Sequence, residues 1–177
     1  MTVVLASIAA KGNAIIMASD RMLAGAELTY QFEHDSVKIR SIGDYLVGYS
    51  GPTTFADDIL SHEYTALTPM RDFIKALSAY YIKYANSIAS RVLLESLGLD
   101  LVTFNANPQL NPASVHERVY EQLRQQDRVG VQFVVCGYDH DRPQIYLVGD
   151  YGIYSTAHSV GFTAIGIGEA HVGNFYM

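Results

Sequence analysis

The sequence lacks tryptophan and contains a single cysteine, Cys136, among its 177 residues. One cysteine excludes an intramolecular disulfide and is compatible with a reducing compartment. It lies in the apolar run 131–136, where a buried and unreactive thiol is expected rather than a nucleophile. The six histidines have no metal-ligand spacing, so the sequence predicts neither a metal site nor another cofactor. The segment 139–141 stays open, either as a polar turn or as a weak cation site.

Clusters of basic residues and long apolar runs are lacking as well. Lysine and arginine are scattered and the net charge is −6, so nucleic acid is not an expected partner. No apolar run approaches the roughly 20 residues that span a bilayer, so no membrane association is expected. The N-terminus has no basic region ahead of an apolar one, as a secretory signal would. These features predict a cytoplasmic protein.

The hydrophobic residues that are present, 49% of the chain, predict one domain over residues 1–177 with a substantial core. Short apolar stretches bounded by turn residues predict strands in both the first and the last third of the chain. Helical spacing and N-terminal threonine and proline signals predict two helices between them. The predicted strands are 2–9, 13–20, 36–42, 45–50, 99–104, 129–136, 144–148, 153–156 and 162–165, and the main helices are 53–60 and 68–97. Strands, then helices, then strands is an α+β order with antiparallel sheets.

The N-terminal strand carries a residue of chemical interest directly after the initiator methionine. If Met1 is removed, Thr2 has both a hydroxyl and a free α-amine. The amine can then act as general base for the hydroxyl, which is one way to activate a weak nucleophile. Taken alone, Thr2 reads more simply as the second residue of an ordinary strand.

Four residues of the first fifty, taken together, change that interpretation. Thr2 begins the chain, Asp20 closes the second strand, Lys38 lies on the next strand, and Gly48 precedes a predicted helix. This order resembles the β-type subunits of the proteasome and, more widely, the N-terminal nucleophile hydrolases. Other segments of the chain are similar to that family in the same order. They are AIIMASDR at 14–21, VKI at 37–39, LVGYSG at 46–51, VCGYD at 135–139, PQIY at 143–146 and AIGIG at 164–168.

The resemblance implies a four-layer αββα sandwich and hydrolysis of peptide bonds. In it Thr2 would be the nucleophile, and Lys38 would place a cation beside the threonine hydroxyl. Asp20 would keep Lys38 charged and oriented, and the Gly48 N–H would donate to the oxyanion. Simpler roles stay open: a solvated lysine, an aspartate that caps a turn, and a glycine that allows close packing.

The same alignment implies a pocket for the residue before the cut, lined by Leu23, Leu46 and Ser50, which would favour apolar side chains. It also implies a homo-oligomeric ring that acts on peptides or unfolded proteins, with an ATPase or another activator as a further partner. Relative to the family, the sequence suggests an insertion near 99–128 and a missing C-terminal part. Ile167 stands where the family has a serine.

Two other functions remain open at this point. The chain could be a non-catalytic structural subunit of such an assembly, similar to the α-type subunits. It could also be a related N-terminal nucleophile enzyme, acting as an amidohydrolase or a peptide ligase. Each alternative keeps the fold and differs in what Thr2 does.

Overall fold

A computed structural model describes residues 3–24, 31–33, 37–64, 69–95, 98–106, 117, 121, 130–149 and 152–166, and every structural statement below concerns these residues. Ten strands are β1 Val4–Ala9, β2 Ala14–Ser19, β3 Met22–Ala24, β4 Gln31–Glu33, β5 Ile39–Ile42, β6 Tyr45–Ser50, β7 Gln132–Asp139, β8 Arg142–Val148, β9 Tyr154–Thr156 and β10 Phe162–Ile165. Three α-helices are α1 Thr53–Leu60, α2 Met70–Leu93 and α3 Leu101–Ala106. None of the helices in these ranges is long and apolar enough to cross a membrane.

The strands form two main antiparallel sheets and one small one. The first sheet has the order β10-β1-β2, and the second has the order β5-β6-β7-β8-β9. The short strands β3 and β4 pair only with each other among the described strands. Every strand pair is antiparallel, which confirms the predicted class of sheet. The N-terminal strand β1 is therefore the central strand of the first sheet.

Two apolar clusters hold the layers together. One lies between the two sheets and includes Val4, Val134 and Ile165, which are at most 3% exposed. The other lies between the five-stranded sheet and the helices α1 and α2. Successive side chains of strand β6 face opposite sides of its sheet. Tyr45, Val47 and Tyr49 enter the cluster under the helices, so the alternate residues of β6 face the other sheet.

The helix positions agree with the sequence, but the predicted caps were wrong. Helix α1 begins at Thr53 after Pro52, and no side chain caps it. Helix α2 begins at Met70, so Pro69 lies just before the helix and not at its first position. Thr68, the predicted cap of α2, lies outside the described residues. Pro52 and Pro69 have extended backbones, and each leads the chain into a helix.

Three other local predictions are corrected. The stretch predicted as a strand at 99–104 contains helix α3, whose Phe104 packs with Leu94 at the end of α2. The turn residues at 11–13 predict a positive φ at Gly12 and Asn13; Gly12 has it, but Ala10 and Lys11 share that conformation and Asn13 does not. Strand β7 runs on to Asp139 and joins β8 through two residues only. The single-domain assignment and the insertion near 99–128 stay predictions.

Candidate active site

An ion pair between Asp20 and Lys38 joins the two sheets at one end of the sandwich. Asp20 follows β2 of the first sheet, and Lys38 precedes β5 of the second. The Lys38 Nζ lies 2.5 Å from the Asp20 Oδ1. The lysine side chain is 2% exposed and the aspartate side chain 27%. The lysine cation is therefore buried, and the solvated strand lysine suggested as a simpler reading is wrong.

The second oxygen of Asp20 binds the start of the chain. The Val3 N–H donates to the Asp20 Oδ2 over 3.0 Å, and the Asp20 N–H donates to the Val3 carbonyl over 3.2 Å. Strand β1 pairs with β2 so that Val4 lies opposite Ser19. Asp20 thus continues a regular ladder between β1 and β2 that contains no β-bulge. The same carboxylate holds Lys38 on one side and the N-terminal strand on the other.

Thr2, the predicted nucleophile, lies outside the described residues. Its carbonyl carbon is bonded to the Val3 nitrogen, and consecutive Cα atoms are about 3.8 Å apart. Ile167, the predicted departure from the family, also lies outside them. Of the four residues predicted to act together, the structure brings Asp20 and Lys38 into contact and places the residue after Thr2 against Asp20.

Gly48 lies at the closest approach of the two sheets. A Cβ atom added there would meet the Val4 Cγ1 at 2.5 Å and the Met17 Sδ at 3.1 Å. Glycine at this position therefore allows close packing, as the simpler reading of the sequence suggested. Tyr49 donates its N–H to the Lys38 carbonyl over 3.0 Å. Because N–H groups alternate along a strand, the Gly48 N–H points away from β5 and towards Val134 of β7.

The residues predicted to line a substrate pocket lie on two elements. Leu46 and Ser50 flank Gly48 on β6, on the side that faces the first sheet. Ser50 is 8% exposed, whereas Leu46 is half-buried. Leu23 lies on β3, and its side chain is outside the described part of the chain. Leu46 and Ser50 therefore share one face of β6.

Gly51 directly follows β6 and lies against the backbone of Gly130. Its φ is +120°, and an added Cβ would lie 2.2 Å from the Gly130 carbonyl oxygen. It is the first residue beyond the β6–β7 ladder, which ends where Ser50 pairs with Gln132. In the sequence, a glycine between a predicted strand and a proline was the available sign of an unusual backbone at this position. The positive φ and the close approach to Gly130 are visible only in the folded chain.

The described residues contain neither a reactive cysteine nor a cluster of metal ligands. Burial raises the pKa of the Cys136 thiol to about 12, so this cysteine is a protonated core residue, as expected. No group of three or more histidine, cysteine, aspartate or glutamate side chains is arranged to hold a metal ion within those ranges. Asp139 and His140 approach each other at 3.7 Å in the β7–β8 turn.

The close contact at Gly48 predicts that a larger residue at this position destabilises the protein. Changing Gly48 to alanine should lower the free energy of unfolding by about 1–3 kcal/mol, because the new methyl group overlaps Val4 across the two sheets. Gly149 is the matched control: its Cβ would meet nothing closer than 4.0 Å, so Gly149→Ala should be nearly neutral. Urea unfolding followed by circular dichroism measures both. Val4→Ala should cost less in the Gly48→Ala background than alone, and equal costs would contradict the overlap.

Comparison with solved structures identifies similar folds. No protein-family profile matches the sequence, and no curated protein sequence matches it either. Eukaryotic HslV from Trypanosoma brucei superimposes with a TM-score of 0.53 at 17% identity, over 97% of this chain and 75% of that one. The Anbu Gly-1 mutant from Hyphomicrobium sp. strain MC1 superimposes with a TM-score of 0.56 at 10% identity, over 94% of this chain and 61% of that one. At these low identities the superpositions establish a shared fold alone. The chain has the fold of the proteasome-like N-terminal nucleophile hydrolases.

Proposed function

We propose that this protein is a threonine-type peptidase in which removal of Met1 exposes Thr2 as the nucleophile. One observation carries the proposal: the Asp20 carboxylate contacts both the buried Lys38 ammonium and the Val3 N–H. Thr2 is bonded to that nitrogen. A single side chain thus contacts both a buried cation and the residue that follows the proposed nucleophile.

The proposed reaction uses the two functional groups of Thr2. The hydroxyl oxygen attacks the scissile carbonyl carbon, and the α-amine accepts the hydroxyl proton. The amine then returns the proton to the leaving nitrogen, and the peptide bond breaks to leave an ester on Thr2. A water molecule attacks the ester and restores the hydroxyl. No metal or cofactor is required for any of these steps.

Lys38 and Asp20 have distinct roles in this reaction. The Lys38 cation stabilises negative charge that develops on the threonine oxygen, and it acts strongly because its side chain is only 2% exposed. Asp20 balances this charge and fixes its position. It also fixes the direction of β1 through Val3. Asp20 is therefore a positioning residue for both partners.

Two backbone N–H groups, those of Gly48 and Gly51, are candidates for the oxyanion donor. Gly48 was predicted for this role, and its N–H points towards β7. Gly51 is a second candidate donor because its N–H is the first beyond the β6–β7 ladder. Leu46 and Ser50, with Leu23, are proposed to receive the residue before the cut. An apolar side chain is the expected preference.

The proposed setting is a cytoplasmic, homo-oligomeric ring that degrades peptides or unfolded proteins, assisted by an ATPase or another activator. Support comes from the fold shared with HslV and Anbu proteins. Analytical ultracentrifugation of the purified protein tests the ring. A monomer at micromolar concentration would contradict it.

Intact mass spectrometry combined with a threonine-directed electrophile tests the chemistry. The active protein should lack the mass of Met1, and an epoxyketone peptide should add one equivalent to Thr2, because that warhead bonds both the hydroxyl and the amine of an N-terminal threonine. Peptide mapping locates the adduct. Retention of Met1 in active protein would overturn the proposal, and ligated rather than hydrolysed products would favour the peptide ligase.

A non-catalytic structural subunit is the second candidate, and the direction of the Gly48 N–H favours it. A donor that points along the sheet towards Val134 does not face an oxyanion in the cleft. In that case the ion pair of Asp20 and Lys38 only joins the sheets. Absence of a Thr2 adduct in protein that has lost Met1 would support this candidate over the peptidase.

A further inference from the structure

A cavity of about 330 Å³ lies at the tips of the β5–β6 and β7–β8 hairpins, lined by Tyr45, Pro69, Tyr138, Asp139 and His140. Tyr45 is the first residue of β6, four residues before Tyr49, which binds Lys38 through its N–H. At about 3.4 Å per residue the cavity is roughly 14 Å along the strand from that contact. It is therefore separate from the candidate active site.

Asp139 is the only acidic residue of the cavity lining, and it has no permanent counter-ion among the described residues. Its side chain is 28% exposed, and its one ion-pair contact is His140 at 3.7 Å. That contact is attractive only when the histidine is protonated. Arg142 lies opposite Asp139 in the β7–β8 ladder, yet it forms no ion pair with it. A cation that enters the cavity would therefore stabilise this partly buried carboxylate, which lacks a permanent counter-ion.

The lining around this carboxylate is aromatic. The Tyr45 side chain is 5% exposed, and its ring packs on Phe73 with 5.1 Å between centroids. Burial raises the pKa of Tyr45, and the negative charges of Asp139 and Asp44 raise it further. Aromatic faces attract organic cations, and carboxylates bind guanidinium groups through paired hydrogen bonds.

We propose that this cavity binds an organic cation, a guanidinium or alkylammonium group the size of an arginine or lysine side chain. Its volume of about 330 Å³ is at the lower end of ligand sites and suits such a group. A metal ion fits less well, since the cavity lining offers one carboxylate and one imidazole. The cation could belong to a free small molecule or to a side chain of a polypeptide.

Titration of ¹⁵N-labelled full-length protein with Nα-acetyl-arginine methylamide, followed by NMR, tests the proposal. Saturable shifts should centre on the cavity residues with a Kd of about 1 mM, typical of a single small cation. The citrulline analogue has the same shape without the charge and should bind at least roughly tenfold more weakly. This comparison uses the unaltered protein, so it does not depend on the folding of any variant.

Two variants with the same change of charge locate the site. Asp139→Asn should weaken binding at least roughly tenfold by removing the carboxylate at the cavity. Asp141→Asn is the matched control because Asp141 is exposed and does not line the cavity. Its φ of +61° also suits asparagine. This control should bind within about twofold of the unaltered protein, since an exposed carboxylate that does not line the cavity contributes little to binding in water.

The remaining outcomes separate the sources of the cation and decide the proposal. A pentapeptide with central arginine that binds at least tenfold tighter than the single residue would identify a polypeptide ligand. Equal or weaker binding would identify a free small cation. Absence of saturation at tens of millimolar, equal binding of the citrulline analogue, or equal effects of the two variants would overturn the proposal.

Discussion

Replacement of Thr2 by alanine is expected to lower kcat/KM for a peptide substrate by a factor on the order of 10³ or more, since removal of a nucleophile eliminates the covalent route. Alanine keeps the Cβ and the backbone, and position 2 precedes β1, which begins at Val4, so the free energy of unfolding should change little. The rate of cleavage of a fluorogenic peptide with an apolar residue before the cut measures the effect. Intact mass must show that Met1 is removed from both proteins.

Thr2→Ser is the matched control for this prediction. Serine keeps the hydroxyl and the α-amine, so the variant should retain much of the activity and still react with the epoxyketone. In both active proteins kcat/KM should fall as the pH drops through the α-amine pKa, ordinarily about 8, because only the neutral amine accepts a proton. Full activity of Thr2→Ala would exclude Thr2 as the nucleophile.

The ion pair of Asp20 and Lys38 should respond very unequally to removal of either partner. Asp20→Asn leaves a lysine that is 2% exposed without its counter-ion, so the free energy of unfolding should fall by about 3–5 kcal/mol. Lys38→Met leaves Asp20, which is 27% exposed and still accepts the Val3 N–H, and should cost about 1–2 kcal/mol. Urea unfolding followed by far-UV circular dichroism suits a chain without tryptophan.

The double variant tests whether the buried charge is the cause. Asp20→Asn with Lys38→Met removes the buried cation together with the charge of Asp20, so it should be more stable than Asp20→Asn alone. Equal losses for the two single variants would contradict the asymmetry of burial. Both single variants should also reduce peptidase activity, which separates this pair from an ion pair that only joins the sheets.

The local pattern of the sequence was sufficient to predict the positions of most strands. Period-two alternation and turn residues located β1, β2, β6 and β10 within a few residues. The helices α1 and α2 were predicted from apolar residues at helical spacing. Such signals are local, because a strand or a helix presents its apolar face with a period that neighbouring residues alone determine.

Local signals failed where competing interactions decide the conformation. The apolar residues of 99–104 suited a strand by composition, but Phe104 is buried against the end of α2 and the segment is helical. The predicted threonine caps failed because each proline before α1 and α2 supplies the extended residue that precedes a helix. The first outcome is set by what the segment packs against, and the second by the extended backbone of a neighbouring proline.

The sequence by itself determined the order of chemistry along the chain: a threonine after Met1, then Asp20, then Lys38, all in the first part of an α+β fold. Only the tertiary structure brought Asp20 to Lys38 across two sheets and to Val3 across one ladder. It also turned Gly48 into the contact point of the sheets and directed its N–H towards β7. The reason is physical: sequence patterns report which face of an element is apolar, whereas distances between elements depend on how the sheets pack.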